Sequence, residues 1–256
     1  MEEQSAVCRI AISPMRGEPN DQSEIVSQLL FGDAVTILEK TEKWWLIQTA
    51  YDDYQGWVDF RQLTSIASID EKQHFLAPPA VNNTLIAEDG SKLYLAASSY
   101  LPGYAAGYCY AGKEKFKVDF EPLVIDAELP GSALKDLAYF YQNAPYLWGG
   151  RTLFGIDCSG FVQAVYKMAG MKLKRDASQQ AEMGTTVDFL TEAQLGDLAF
   201  FDNAEGRITH VGLLLGNNEI IHSSGKVRVD PIDDQGIFNR ELQKYSHQLR
   251  IIKRII

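Results

Sequence analysis

Strand-like and helix-like periodicity occupy separate parts of this 256-residue sequence, and that separation limits the folds available to it. The first 70 residues contain short apolar runs of β type between turns: AVTILE at 34–39, WWLIQT at 44–49 and GWVDF at 56–60. From about residue 130, SALKDLAYFYQ and SGFVQAVYKMAG have helical spacing, and DLAFF, ITHVGLLL, EIIHSS and LRIIKRII then have strand character. Helices followed by strands in one domain predict an α+β fold.

Composition and charge exclude several classes of partner. Hydrophobic residues make up 46% and charged residues 23% of the chain, and no apolar run approaches the roughly 18 residues that cross a bilayer. The 34 acidic and 24 basic residues give a formal net charge of −10, which repels nucleic acids and anionic membrane surfaces. We therefore expect a soluble, globular monomer with neither a nucleic-acid partner nor membrane insertion.

The three cysteines, Cys8, Cys109 and Cys158, are widely spaced and odd in number. They predict neither a disulfide framework nor a CxxC zinc pair, and we expect no metal and no cofactor. The start, MEEQSAVCRIAIS, lacks the continuous apolar stretch of about 7 to 15 residues that a secretory signal requires. The sequence as written therefore predicts a cytoplasmic protein, or an exported one if a leader has been removed.

The strand-like part divides further. A second β-type stretch from about Ala80 to Val118 contains KLYLAA and KFKVDF. The segment EPLVIDAELPGSA that follows contains Pro122 and Pro130, and proline discourages continuous helix or strand. We therefore predict three domains, at 1–70, 71–128 and 129–256.

The N-terminal segment resembles a bacterial SH3-like domain. The resemblance rests on a Gly-Asp before a strand in FGDAVTIL, a tryptophan-containing strand in WWLIQT and the final Gly-Trp-Val of YQGWVDFRQL. It implies a small β-barrel over 1–70. The segment 71–128 is then either a second, degenerate SH3-like barrel or a β-rich linker domain.

Cys158 lies in GIDCSGFVQAVYKMAG, directly before a run in which apolar residues recur every three or four positions. This spacing predicts a helix with one buried face that ends at Gly170. At a helix start, free backbone N–H groups and the helix dipole favour an anion, so we expect this position to lower the pKa of a thiol. A lone cysteine is otherwise a small buried hydrophobe, and a nucleophile needs a basic partner.

Two of the four histidines, His210 and His222, lie in THVGLLLGNNEIIHSS, which is typical of a β-hairpin. A three-residue loop over residues 215–217 would place them directly opposite each other, with Cβ atoms about 5 Å apart. A two-residue turn at Asn217 and Asn218 would place them on opposite faces. The first register predicts an imidazole pair; the alternative is two unrelated histidines that face solvent or the core.

Three ordered motifs, PYLWGGRTLFGIDCSGFVQAVYKMAG, LGDLAFF and ITHVGLLLGNNEIIHSS, together resemble the NlpC-type bacterial cell-wall peptidases. This resemblance implies a papain-like catalytic domain with Cys158 as nucleophile, His210 as general base and acid, and His222 as the orienting residue. It also implies Tyr146 as an oxyanion donor beside the backbone N–H of Cys158. A packed aromatic is the alternative for Tyr146.

Further residues are candidates for substrate binding. Asp157 precedes the helix and is a good N-cap. In similar proteins with SH3-like domains, the γ-D-glutamyl-L-diamino acid endopeptidases (dipeptidyl-peptidase VI), an aspartate beside the nucleophile binds the substrate's amino group, and a segment like RDASQQ lines the cleft. The N-terminal barrel would either close one end of the groove or serve only for targeting. The resulting candidates are Asp157, Ser159, Asp176, Ser178, Glu24 and Tyr54.

The predicted function is a cysteine peptidase that hydrolyses the bond between γ-linked D-Glu and a diamino acid in peptidoglycan-derived peptides. A free N-terminal L-Ala is required, and L-Ala-γ-D-Glu is released. Freed muropeptides are favoured over intact wall, because anionic wall polymers repel an acidic protein. The alternatives are another papain-like amidase or acyltransferase, or an SH3-like protein that binds cell-wall peptides and carries an inactive peptidase domain.

Overall fold

The computed structural model of the protein describes residues 4–69, 74–125, 131–216 and 218–255. The chain divides into two units, Met1–Asp126 and Ala127–Ile256. The first unit is built from strands, and the second combines helices with one large sheet. The boundary between the units lies close to the predicted junction, while the further division of the first unit at residue 70 stays a prediction.

A seven-stranded antiparallel sheet forms the start of the first unit. Its strands follow the order β3-β2-β6-β5-β4-β1-β7. They are β1 (Gln4–Cys8), β2 (Ile12–Arg16), β3 (Ile25–Leu30), β4 (Ala34–Lys40), β5 (Trp44–Thr49), β6 (Gln55–Asp59) and β7 (Leu63–Ile66). The three β-type runs predicted here coincide with β4, β5 and β6. Alternate residues such as Val35, Ile47 and Val58 point into a common core, as the period of a strand requires.

The rest of the first unit is a smaller set of strands. Four of them follow the order β10-β9-β12-β11, and two short strands, β8 and β13, pair with each other. They are β8 (Phe75–Leu76), β9 (Thr84–Ala87), β10 (Lys92–Tyr94), β11 (Tyr108–Ala111), β12 (Glu114–Val118) and β13 (Leu123–Val124). Val7 and Phe31 share a core cluster with Leu85 and Phe116 of this part. The two strand-rich segments therefore stabilise each other through one apolar core.

In the second unit the helices come first and the sheet follows, as predicted. The helices are α1 (Gly131–Phe140), α2 (Cys158–Met168) and α3 (Ala177–Gln180). The strands are β14 (Arg151–Thr152), β15 (Gly155–Ile156), β16 (Thr185–Val187), β17 (Leu198–Asp202), β18 (Ile208–Gly216), β19 (Glu219–Ser224), β20 (Lys226–Asp233), β21 (Gly236–Asn239) and β22 (Lys244–Arg254). Seven of them form the order β16-β22-β17-β18-β19-β20-β21, with a further pairing of β21 with β22. The α+β prediction is confirmed.

Helix α2 is the buried centre of the second unit. It starts at Cys158 and ends at Met168, and Gly170 then adopts a φ of +84°, as a helix C-terminus favours. Every residue of α2 is buried, including Gln163 and Lys167. The expectation of a single buried face was therefore wrong, because polar side chains can be enclosed when they find partners: Gln163 Nε2 donates to the Leu173 carbonyl at 3.0 Å.

The register of the β18–β19 hairpin lies between the three-residue loop and the two-residue turn considered from the sequence. Gly216 pairs with Glu219, which is the two-residue turn, but the register shifts between Leu214 and Gly216, so Gly212 pairs with His222. His210 is thus two residues away from the position opposite His222, and the prediction of direct opposition was wrong. Because of this register shift, His210 is offset from the position opposite His222 by an even number of residues, so both histidines still lie on one face of the sheet. Asn217 lies outside the described residues.

Among the helices that the structure describes, none is long and apolar enough to cross a membrane.

Candidate active site

Cys158 occupies the first position of helix α2. The preceding Asp157 has extended backbone angles, φ −88° and ψ 176°, and its carboxylate accepts a hydrogen bond from the Gly160 N–H at 2.6 Å. This cap fixes the helix start, where the first N–H groups have no acceptor within the helix. The backbone N–H groups of Val211 and Ser159 both bond to the thiol. Since Val211 follows His210 in β18, the sulfur lies against the strand that carries the predicted base.

The thiol of Cys158 is almost fully enclosed, with 6% of the residue exposed. Burial raises the pKa of this thiol to about 12, and the charge of Asp157 raises it further, while the two N–H groups and Arg175 act in the opposite direction. The expectation that the helix start lowers this pKa was wrong, because desolvation outweighs the helix end. The resting thiol is therefore protonated, and it needs a base in contact with it.

His210 and His222 form a buried imidazole pair. Nε2 of His210 lies 2.8 Å from Nδ1 of His222, with the rings 5.0 Å apart and nearly perpendicular. Burial lowers the pKa of His210, and the neighbouring His222 and His247 lower it further. Burial also lowers the pKa of His222, although Asp230 opposes this effect. Both rings are thus neutral at pH 7, as a general base must be.

Asp230 was not anticipated from the sequence. Its Oδ2 lies 3.2 Å from Nε2 of His222, and only 2% of the residue is exposed. Arg228 contacts the same carboxylate, with Nε 2.7 Å from Oδ2 and Nη2 3.0 Å from Oδ1. An available signal was the acid within VRVDPID, a strand that follows the hairpin directly and therefore pairs with the His222 strand.

His247 in β22 is the second unpredicted member of this cluster. Its ring stacks on that of His210 with centroids 4.0 Å apart and an interplanar angle of 20°. Burial lowers the pKa of His247 to about 4. His210, His222 and His247 each offer one ring nitrogen, and these atoms lie within 4.8 Å of one another, a spacing that would also suit an ion such as Zn²⁺. The expectation that the protein uses no metal stays a prediction.

Asp157 also belongs to a buried ion pair. Arg175 donates from Nη2 to Oδ2 at 2.6 Å and from Nη1 to Oδ1 at 3.1 Å, and the Gly149 N–H donates to Oδ2 at 2.9 Å. Ser159 is held in the same network, because its hydroxyl accepts from Arg175 Nη1 at 2.9 Å. Both oxygens of Asp157 are thus engaged within the protein, as for a helix cap, and the binding of a substrate ammonium group by Asp157 stays a prediction.

Tyr146 is half-buried beside the nucleophile. Burial raises the pKa of its phenol to about 12, and the charges of Cys158 and Asp157 raise it further, which places the three groups close together. The Tyr146 N–H donates to the Gly225 carbonyl at 3.0 Å and fixes the backbone of this residue. A protonated phenol at this position could donate to an oxyanion.

The remaining predicted residues differ in their surroundings. Asp176 is partly exposed at the start of α3, where its N–H donates to Gln179 Oε1 at 3.2 Å, and Ser178 is exposed. Glu24 is exposed and Tyr54 is half-buried, and both lie in the first unit. Whether any of them contacts substrate stays a prediction.

These features define a papain-like cysteine peptidase. They are a buried thiol at a helix start, an imidazole on the strand that contacts the thiol, and a second imidazole that orients the first. The NlpC/P60 family matches residues 143–246, which include Cys158 and both histidines of the pair. The bacterial dipeptidyl-peptidase Sh3 domain matches residues 15–63. The chain belongs to the NlpC/P60 family, and the predicted resemblance to it and to the SH3-like domain is confirmed.

Relatives extend the similarity across both units. The chain is 33% identical over 218 residues to the gamma-D-glutamyl-L-lysine dipeptidyl-peptidase of Bacillus subtilis, covering 78% of this chain and 72% of that protein. It is 28% identical over 258 residues to dipeptidyl-peptidase 6 of Lysinibacillus sphaericus, covering 90% and 93%. The crystal structure of an NlpC/P60 family protein from Bacillus cereus superposes with a TM-score of 0.81 at 20% identity, over 98% and 99% of the two chains.

Proposed function

We propose that this chain hydrolyses the bond between γ-linked D-Glu and a diamino acid in peptidoglycan-derived peptides, and that it releases L-Ala-γ-D-Glu. The observation that carries the proposal is the match to dipeptidyl-peptidases over both units, together with an intact Cys158, His210 and His222. A binding protein with an inactive peptidase domain would not need to retain all three groups.

The geometry supports a covalent mechanism. His210 uses Nε2 to contact His222, so Nδ1 is the nitrogen that remains for the Cys158 proton. The thiolate then attacks the γ-carbonyl of D-Glu and forms a tetrahedral intermediate. His210 returns the proton to the amine of the departing diamino acid, and water, deprotonated by the same ring, hydrolyses the thioester.

The oxyanion of each tetrahedral intermediate needs hydrogen-bond donors. The backbone N–H of Cys158 lies at the helix start, where no intrahelical acceptor is available, and the positive end of the α2 dipole stabilises negative charge there. The Tyr146 phenol, whose pKa is raised to about 12 mainly by burial, stays protonated at neutral pH and supplies a second donor.

Recognition of a free L-Ala amino group requires an acidic group other than Asp157, because Arg175 already neutralises that carboxylate. Asp176 is the candidate in the second unit: it follows Arg175 directly and is partly exposed. Glu24 and Tyr54 of the first unit are further candidates by resemblance. We infer that freed peptides are the substrates, since the net charge of −10 disfavours anionic wall polymers.

The test is mass spectrometry of synthetic L-Ala-γ-D-Glu-L-Lys and L-Ala-γ-D-Glu-meso-diaminopimelate after incubation with the protein. We expect L-Ala-γ-D-Glu and the free diamino acid as products, and no products with Cys158→Ala. N-acetylated peptides serve as the matched substrates for amine recognition. Cleavage at another bond, or acyl transfer to an added amine instead of water, would replace the proposal with the amidase or acyltransferase alternative.

A further inference from the structure

We propose that Asp230 is a positioning residue that fixes the tautomers of His222 and His210, so that Nδ1 of His210 carries the lone pair that accepts the Cys158 proton. The inference deepens the proposed function and rests on it. Asp230 acts through the two rings and does not itself touch the reacting atoms.

Strand register brings Asp230 to His222. In the β19–β20 pair, His222 lies opposite Arg228 and Ile220 lies opposite Asp230. Residues 228 and 230 are two positions apart on β20, so their side chains point to the same face as His222. Asp230 is 2% exposed and His222 is 1% exposed, so water does not compete for the 3.2 Å contact between them.

The carboxylate stays ionised in this buried position. Burial alone would raise the pKa of Asp230, but hydrogen bonds from His222 and Arg228 more than offset that effect and lower it. Arg228 is in turn held by Glu241, whose Oε2 accepts from Nη1 at 2.9 Å. An ionised carboxylate only accepts hydrogen bonds, so its partner nitrogen, Nε2 of His222, must carry a proton.

The tautomers then follow one from the other. A neutral His222 with its proton on Nε2 has a lone pair on Nδ1. That lone pair accepts from Nε2 of His210 at 2.8 Å, so the proton of a neutral His210 is on Nε2. Nδ1 of His210 is therefore unprotonated and ready to accept the thiol proton. When it does so, the positive charge on His210 is stabilised through His222 by Asp230.

The charged and titratable groups around this relay come from strands β18, β19, β20 and β22, and from helix α2 and the residues that flank it. Helix α2 contributes Cys158, and β18 contributes His210. Strand β20 contributes Arg228 and Asp230, and β22 contributes His247, whose ring lies 5.7 Å from that of His222. Asp157 and Arg175 act on Cys158, and Glu241 bonds to Arg228. Asp230 is the acid that bonds to His222.

The first test needs no variant. ¹⁵N-NMR of the histidine side chains in the wild-type protein reports which nitrogen carries the proton. We expect His222 to be protonated on Nε2 and bare on Nδ1 at neutral pH. The opposite tautomer would overturn the proposal, and this result does not depend on any substrate.

The second test compares Asp230→Asn with Glu241→Gln. The amide NH₂ can donate to Nε2 of His222, which reverses both tautomers and places a proton on Nδ1 of His210. We expect kcat to fall on the order of 10²-fold or more with KM nearly unchanged, by analogy with the loss that follows a wrong histidine tautomer in a serine protease. Glu241→Gln, which changes an exposed partner of Arg228, should leave kcat within about twofold.

Alkylation of Cys158 by iodoacetamide separates this inference from the proposed function. In Asp230→Asn the rate at pH 7 should fall at least about tenfold, because the thiol has lost its base, and the plateau should move to higher pH. This change should occur whatever peptide the enzyme cleaves. A folded Asp230→Asn protein with the wild-type alkylation profile would show that Asp230 serves stability alone, and would overturn the proposal.

Discussion

Two guanidinium nitrogens of Arg175 donate hydrogen bonds, at 2.6 and 3.1 Å, to the carboxylate of Asp157, the residue directly before the nucleophile. The two side chains are 2% and 7% exposed, so the pair is shielded from solvent. The same carboxylate caps α2 and accepts from Gly149. A single ion pair thus joins the start of the catalytic helix to the loop that precedes it and to the segment that follows it.

Replacement of Arg175 should destabilise the protein strongly. Arg175→Met leaves the Asp157 charge buried without a partner, and we expect a loss of about 3–5 kcal/mol in the free energy of unfolding. The matched control is Arg61→Met, which breaks an ion pair whose arginine side chain is 68% exposed and should cost less than about 1 kcal/mol. Denaturant titration measures both; equal losses would mean that the buried pair has no special role.

Replacement of Cys158 should remove turnover and leave the fold intact. Cys158→Ala deletes one sulfur atom from a nearly enclosed site, so we expect a change within about 1–2 kcal/mol in stability and no detectable peptide cleavage. Cys109→Ala provides the control, because that thiol is fully buried in the first unit. Cys109→Ala should lower the free energy of unfolding about as much as Cys158→Ala does, and it should retain peptide cleavage. Residual turnover by Cys158→Ala would contradict the nucleophile assignment.

The two histidines of the pair should differ in their effects. His210→Ala removes the group that carries the proton and should lower kcat/KM more than His222→Ala, which removes only the group that orients it. Steady-state kinetics with both variants provides the ranking. A larger loss for His222→Ala would mean that the roles are exchanged.

The histidine cluster should make the fold sensitive to mild acid. Burial lowers the pKa of His247 to about 4, and it also lowers those of His210 and His222. The folded state therefore binds fewer protons than the unfolded state, whose histidines titrate near 6.5. Stability should be fully present above pH 6.5 and decline as the pH falls toward 4.

His247→Gln isolates one part of this pH dependence. It should reduce the decline between pH 6.5 and 4 by about 2 kcal/mol, because the variant no longer has to bury a group that would otherwise take up a proton. Thermal unfolding at several pH values measures the effect. His74→Gln is the control, since that residue belongs to the first unit and is not a member of the cluster. An unchanged slope in His247→Gln would contradict the assignment.

Local pattern was sufficient to predict some of these features and insufficient for others. Helical spacing after Cys158 identified the helix start, and the even separation of His210 and His222 indicated a shared face. The register shift between Leu214 and Gly216 was not predictable, because a bulge depends on how both strands meet their other neighbours. Asp230 lies on β20, which pairs with the neighbouring His222 strand, so its contact could have been anticipated. His247 reaches the site through the pairing of β22 with the distant β17, so no short segment contains its relationship to His210.

The burial of the thiol was also beyond local pattern. A helix start lowers a thiol pKa while burial raises it, and the enclosing residues come from β18 and from the segment before α2. Likewise, Asp157 was predicted as a cap from its position and as an amine site from the family resemblance. Arg175, which pairs with the Asp157 carboxylate in the structure, is 18 residues away in sequence.

Recognition of the substrate's free amino group should therefore not depend on Asp157. We expect the wild-type protein to prefer L-Ala-γ-D-Glu-diamino acid over its N-acetylated form by roughly 30- to 5,000-fold in kcat/KM, because acetylation leaves a carboxylate without its ammonium partner. Asp176→Asn should reduce this ratio at least about tenfold, with Glu24→Gln tested in parallel. Asp157→Asn should lower stability and retain the ratio, since an asparagine still caps the helix. If Asp157→Asn instead cleaves both peptides equally well, the Asp157 carboxylate binds the amino group, and its pairing with Arg175 must open when substrate enters.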